Sequence, residues 1–447
     1  MKNPVISRKD FIKNSAWGIA GATIGPGVLH SLHATAPRTS HGPNAVLGKT
    51  YTLKNVRLET GFDYENGEIA RTRTALFHIE IAEGKIKTIS SNGTDPTAID
   101  AKGLLMLPAF RDMHIHLDKT FYGEKWQAVK KRTGGIRGMI ELEQRMLPEM
   151  LENATFKAGK LIELLQLHGT SFARSHVNIE PTSKLRSLTN LQIALENNKN
   201  VFGAELVAFP QHGVFYTDSV PYLKEAAKMD IDFIGGLDPY TIDGAIEKTI
   251  DFTIQLALDN NKGIDIHLHE SGESGLKTVE YLIKKVNENT GLKGRTFISH
   301  CFVLGKLEKA KQEELATELA NSQVGIISTI PFGGLTMPIP TLIKHGVQVM
   351  TGNDSIIDHW NTFGTGSVLH KANLAAQLYG QTTEYGLSRM LQLATAGPIP
   401  LNDKGDRQWP KTGDAANMVL IDASCSAEAV SRISPIRSLI HNGNIVY

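Results

Sequence analysis

Two cysteines in 447 residues, Cys301 and Cys425, leave room for neither a disulfide framework nor a cysteine-rich zinc site. Any metal ion must be held by histidine and carboxylate. An excess of charge is missing too. The 47 basic and 46 acidic residues give a net charge of +1, so there is no electrostatic case for a nucleic acid or an anionic membrane as partner. A small, weakly charged molecule suits such a chain better. Long apolar runs are also absent: the longest, from Ala16 to Leu29, is about 14 residues where a bilayer span needs about 20. That excludes a multispanning membrane protein. There is no internal repeat at a fixed short period and no low-complexity tract.

What is present is the composition of a folded protein, 41% hydrophobic and 21% charged, so a large core can form. The length exceeds that of one ordinary domain but accommodates a barrel of about 250 residues with a satellite. At the N-terminus Ser7-Arg8-Lys9-Asp10-Phe11-Ile12-Lys13 precedes the apolar, glycine-bearing run, which resembles a twin-arginine export signal with Lys9 in place of the second arginine. Ala34-Thr35-Ala36, followed by Pro37, is the small-residue stretch near its end. Residues 1–46 are read as export signal and linker. A periplasmic or exported location is expected, with a cytoplasmic protein bearing an N-terminal amphipathic helix as the alternative.

From about Leu47 to Leu107 short apolar runs alternate with turns, as in Lys54–Glu59, Ala75–Ile81 and Ile86–Ile89 around Glu83-Gly84. Then short apolar strands alternate with polar loops and helical stretches, the pattern of a parallel sheet with crossover helices. Eight strands are expected: Leu107–His116, Ser171–Asn178, Glu205–Phe209, Phe233–Leu237, Ile264–His269, Thr296–His300, Val324–Thr329 and Val347–Gly352. Between two of them Leu276, Val279, Leu282, Ile283 and Val286 fall on one helical face, opposite Lys277, Glu280, Lys284 and Lys285. Toward the end Asn417–Ile421, Ser438–His441 and Asn444–Val446 are β-like again and are expected to pack with the opening β segment. The fold expected is α/β, a (β/α)8 TIM-like barrel (109–397) with a small β-sandwich domain built from both chain ends (47–108 and 398–447). A doubly wound open sheet also supplies eight strands and stays open at this point.

His114-Ile115-His116 ends the first barrel strand, and alternate strand residues share a face, so both imidazoles can reach one metal ion. The spacing alone is weak evidence, because 16 histidines make a chance His-x-His common and a second pair, His267-Leu268-His269, is present. Position adds weight. His114, His116, His267, His300 and Asp354 all fall at or just past the carboxyl ends of the first, fifth, sixth and eighth strands, where the loops of a barrel build its active site.

Leu107-Pro108-Ala109-Phe110-Arg111-Asp112-Met113-His114-Ile115-His116-Leu117-Asp118 resembles the first-strand motif of the amidohydrolase superfamily, particularly of cytosine deaminases. Arg174-Ser175-His176-Val177, Ala208-Phe209-Pro210-Gln211, His267 with Glu270 three positions on, and Ser299-His300 follow in the family's order. So do Thr351-Gly352-Asn353-Asp354 with Trp360 beyond, and Gly413-Asp414-Ala415-Ala416-Asn417. The resemblance spans roughly residues 47 to 447. It implies one divalent metal ion, zinc or iron, held by His114, His116, His267 and Asp354, which lowers the pKa of a bound water from 15.7 to about 7. It further implies that His300, with Asp354, shuttles the proton of that water, and that Glu270 protonates the ring nitrogen beside the attacked carbon and assists loss of ammonia. His269 faces the same way as His267, but the family ligand is the histidine three before the glutamate. Gln211, whose amide offers a donor and an acceptor, is expected to contact the substrate, and Trp360 to wall the pocket. His176 matches a family position at the barrel mouth. No lysine in or beside the third to fifth strands is placed to carry a bridging carbamate, since Lys228 and Lys262 precede strands, so one metal is favoured over two.

The pattern breaks in three places. Ser355 stands where cytosine deaminases place a second aspartate against the exocyclic amine, Asn353 where a histidine is usual, and His212 where a glutamate is common. Ser355 thus joins Gln211 and Trp360 as an expected substrate contact, and the substrate need not be cytosine. The function expected is metal-dependent hydrolytic deamination of a cyclic amidine, cytosine or a related pyrimidine or triazine. The rivals are hydrolysis of a cyclic amide or an N-substituted amine on the same site, and a ligand-binding barrel that keeps its metal for structure only. Expected partners are the small-molecule substrate and, in a homo-oligomer, further copies of the chain, with no nucleic acid and no membrane span.

Overall fold

The structure is a computed structural model that describes residues 50–131 and 134–447. The expected export signal, residues 1–46, lies outside the described residues. Among these, no helix is long and apolar enough to cross a membrane.

Five strands open the described chain: β1 (Thr50–Glu65), β2 (Glu68–Ala82), β3 (Lys85–Ser91), β4 (Ile99–Asp100) and β5 (Leu105–Pro108). Asn66-Gly67, with φ of 52° and 84°, closes the β1–β2 hairpin, since an asparagine-glycine pair tolerates the left-handed backbone such a two-residue turn requires. Three strands from the other chain end, β14 (Met418–Ile421), β15 (Ile436–His441) and β16 (Asn444–Ile445), join them in the order β16-β15-β14-β5-β1-β2-β3, with β4 paired to β1. Both ends therefore share one sheet, curled over a core that includes Leu53, Val56, Ile79, Ile81, Met418 and Leu420.

The second sheet is β6 (Phe110–Ile115), β7 (Thr170–Asn178), β8 (Gly203–Phe209), β9 (Phe233–Leu237), β10 (Gly263–Leu268), β11 (Thr296–His300), β12 (Val324–Ser328) and β13 (Val349–Thr351). All its pairings are parallel and strictly sequential. A doubly wound sheet would reverse its strand order, and this one does not. It closes instead. Ile115 bridges Asp354 in parallel, and the Asp354 amide donates to the His114 carbonyl at 2.7 Å. The fold is thus a (β/α)8 barrel carrying a satellite sheet. Strands such as Gly263–Leu268 and Thr296–His300 are buried throughout, because helices cover one face and the barrel interior the other.

One expected strand divides. Leu107–His116 is split between β5 and β6, because Pro108 has no N–H to continue a ladder. The Ala109 amide still reaches Asn417 in the satellite sheet, at 3.1 Å, whereas the Phe110 amide reaches Gly169 in the barrel, at 2.9 Å. The chain changes sheets within one residue.

At the closing seam Asp112 accepts from the Asn353 amide (3.1 Å) and from Asn353 Nδ2 (2.7 Å). Gly352 is required there, since a Cβ would collide with the backbone N and O of His114. The seam thereby sets the first-strand histidines against the eighth-strand aspartate.

Candidate active site at the carboxyl end of the barrel

His114 is fully buried, and its Nδ1 lies 2.8 Å from Ser299 Oγ. Strands β6 and β11 are not neighbours, so this contact crosses the barrel interior. Ser299 donates its one hydroxyl proton to Asp265 Oδ1 at 2.7 Å and must therefore accept from His114 Nδ1–H. His116 Nδ1 lies 3.2 Å from the His176 carbonyl, which can only accept. In both rings the proton is on Nδ1 and the lone pair on Nε2. Those two Nε2 atoms lie 3.4 and 3.3 Å from the same atom, Asp354 Oδ1.

Burial, with Lys119 nearby, pushes the His116 imidazole down to about 4, so the ring is neutral at pH 7. Two lone pairs and a carboxylate oxygen thus face one another, an arrangement that a cation between them reconciles. The spacing agrees, since ligand atoms around a tetrahedral zinc lie about 3.3–3.5 Å apart. The donor set fits a divalent ion.

Among the described residues two groups have ligand atoms within 4.8 Å of one another, His114 with His116 and Asp354, and His114 with His176 and His267. His267 thus groups with His114 and not, within that distance, with Asp354, and its ring centre lies 4.5 Å from that of His114 and 5.4 Å from that of His116. It stacks on Phe209 at 4.0 Å, and neither ring nitrogen has a hydrogen-bond partner. His300 Nε2 lies 3.9 Å from Asp354 Oδ2, and its ring is likewise unpartnered. Burial, then the neighbouring imidazoles, keeps His267 and His300 well below the ordinary histidine value. His300 and Asp354 both have left-handed backbones, with φ of 67° and 65°. Such strained positions in residues other than glycine gather at functional sites.

A cavity of about 520 Å³ opens over this cluster, lined by His116, His267, His300 and Asp354 together with Gln211, Ser355 and Trp360. That volume suits a small heterocycle. Glu270 stands just behind the wall. Its Oε1 accepts from the amides of Tyr240 (3.0 Å) and Thr241 (2.8 Å), while Oε2 is buried without a partner. His269 lines the cavity instead, its Nδ1 engaged by Asp238 Oδ2 at 2.9 Å.

Residues 224–447 match the amidohydrolase family designated Amidohydro_3. The chain is also 47% identical, over 99% of its own length and 98% of the other's, to the uncharacterised protein YahJ of Escherichia coli (strain K12). The chain belongs to the amidohydrolase family. As an amidohydrolase it is a hydrolase of carbon–nitrogen bonds from a metal-dependent family. It is 26% identical, over 84% of its length and 94% of the relative's, to N-isopropylammelide isopropyl amidohydrolase of Pseudomonas sp. (strain ADP). The crystal structure of N-isopropylammelide isopropylaminohydrolase from Burkholderia multivorans ATCC 17616 superposes with a TM-score of 0.77 at 26% identity, covering 89% of this chain and 98% of that one.

Sequence reasoning missed two charged residues of this amidohydrolase site. Lys119 follows directly on the motif ending at Asp118, is fully buried, and donates to Gln211 Oε1. Glu143 lies on the helix Gly135–Met150, in line with the buried Ile140, Leu147 and Met150. A lone glutamate in an apolar stripe was the available signal.

Proposed function

We propose that the chain is an aminohydrolase that uses one divalent metal ion, zinc or iron, held by His114, His116, His267 and Asp354. It hydrolyses the bond between a ring carbon and an exocyclic nitrogen of a cyclic amidine, such as cytosine or a related pyrimidine or triazine, and releases ammonia. The observation that carries this reading is the convergence of two Nε2 lone pairs on Asp354 Oδ1 at the floor of a cavity sized for a heterocycle.

When bound, the ion supplies Lewis acidity that brings the pKa of water from 15.7 to about 7. The protein's groups do the rest. His300, beside Asp354, takes the proton shed as the water oxygen bonds to the ring carbon and passes it to the departing amine. Glu270, anchored through Oε1, gives the proton on Oε2 to the adjacent ring nitrogen and takes back the hydroxyl proton of the adduct as the carbonyl forms and the carbon–nitrogen bond breaks. Gln211 and Trp360 orient the ring, and Ser355 faces the leaving group.

A second reading, departure of an alkylamine rather than ammonia, is favoured by the two relatives that act on N-isopropylammelide and by the small side chain of Ser355. The test is to load the protein separately with zinc and iron, incubate it with paired amino and alkylamino pyrimidines and triazines, and identify the amine released. Glu270→Gln should keep full metal content while turnover falls at least about 100-fold. Unchanged turnover in that variant refutes the assigned role, and no amine from any compound leaves the binding-protein reading. The export expected from residues 1–46 belongs to the same proposal, and recovery of the full-length chain in the cytoplasmic fraction alone would overturn it.

A further inference from the structure

Glu143 has no solvent exposure and does not line the cavity, yet its carboxylate gathers donors from several parts of the barrel mouth. Oε1 accepts from Asn178 Nδ2, at the end of β7, and lies 3.6 Å from Lys119 Nζ in the loop after β6. Oε2 accepts from His359 Nε2 at 2.9 Å and from Trp360 Nε1 at 2.6 Å, both in the loop after β13. His212 Nε2, in the loop after β8, is 3.8 Å from Oε1. A buried carboxylate needs this many donors, because each lone pair left bare keeps its full desolvation cost. Burial alone would raise its pKa, but Lys119 and His359 outweigh burial and hold it well below the usual carboxylate range.

It reaches the cavity wall by two routes, directly through Trp360 and through Lys119 to Gln211. Trp360 lines the cavity directly, with Lys119 Nζ 5.8 Å from its ring centre. Gln211 lines it too, and its Oε1 is held by Lys119. Lysine has no acceptor, so the amide oxygen must face Lys119, and Nε2 is the group Gln211 offers to the cavity. The helix that carries Glu143 contributes Ile136 and Met139 to the same wall. No metal-ligand candidate is among the polar contacts of Glu143.

We propose that Glu143 is a positioning residue for substrate. Through Lys119 and Trp360 it sets where the Gln211 amide and the indole meet the ring, without touching either substrate or metal. For its kinetic readout this rests on the aminohydrolase reading above; for its spectroscopic readout it does not.

The test uses the full-length, metal-loaded protein and the variant Glu143→Gln, which keeps the volume but removes the charge and one acceptor oxygen. Three results are expected: metal content equal to the parent, KM at least tenfold higher for the pyrimidine or triazine turned over fastest, and kcat within threefold. Acrylamide quenching of the Trp360 emission, isolated by subtracting a Trp360→Phe reference, should rise about twofold, and this can be read without turnover. Lys119→Met should cost much less in the Glu143→Gln background than in the parent, because the pair acts as a unit. Unchanged KM and quenching, additive effects, or loss of metal together with activity would overturn the proposal. If Glu143→Gln does not fold, the charge-balanced Glu143→Gln/Lys119→Met protein is measured instead. Failure of both to fold makes the role structural and overturns it. Absence of turnover in the parent protein, with quenching raised in Glu143→Gln, would sink the aminohydrolase reading and leave the positioning role standing.

Discussion

A histidine ring can present either nitrogen to a metal ion, and for His114 the choice is made by Ser299, whose hydroxyl is committed to Asp265. Asp265 is held in turn by Arg174, at 3.0 Å, whose guanidinium packs against the rings of Phe233 and Phe297. Removing the hydroxyl leaves the ring in place but frees its orientation. Ser299→Ala is therefore expected to lower metal affinity about 10–100-fold, read by competition with a chelator, while the far-ultraviolet spectrum stays unchanged. The residues at strand ends were legible in the sequence because each closes an apolar run, as His267 and His300 do. Lys119 and Glu143 were not, because a buried ion pair is written with the same letters as two solvated surface charges.

At the scale of the element, β12 could be read directly, since a strand buried on both faces is a near-unbroken apolar run, whereas β10 and β11 carry polar residues that point into the barrel mouth and were legible from their apolar partners Ile264, Ile266, Phe297 and Ile298. The helix Glu273–Glu288 was legible from its stripe, and Val279, Leu282, Ile283 and Val286 are indeed its buried side. The division of Leu107–His116 into two strands was not visible, because both sheets demand the same apolar residues there, and only the hydrogen-bond partners of Ala109 and Phe110 separate them. The seam between β6 and β13 makes a sharper demand. A methyl group at position 352 meets the backbone of His114, so Gly352→Ala must push the first and last strands apart. The expected cost is about 3 kcal/mol of stability, the upper part of the usual range for overpacking, together with loss of bound metal. Denaturant unfolding and metal analysis of the purified variant would show whether the two losses occur together.

Taken whole, the molecule joins its satellite sheet to the barrel partly through buried polar groups. His441, in β15, is only 5% exposed; burial pushes its imidazole down to about 4, and the ring is neutral in the folded protein. In the unfolded chain it would titrate near 6.5. The unfolded state therefore takes up the proton first, so this contribution to stability is intact above pH 6.5 and is lost as pH falls toward 4. Between pH 7 and pH 5 the wild type should lose about 2 kcal/mol more than a His441→Leu variant, read from denaturant midpoints at the two values. An equal loss in both proteins would show that His441 is protonated in the native state.

The closure of the barrel by Ile115 and Asp354 also orders events in time. During synthesis the nascent chain carries His114 and His116 long before Asp354 emerges, so the proposed ligand set is incomplete until the last strand docks. On the proposed ligand set, the docking that completes the cylinder is also the one that completes the ion's cage, so a chain stalled short of its eighth strand would hold no lasting metal.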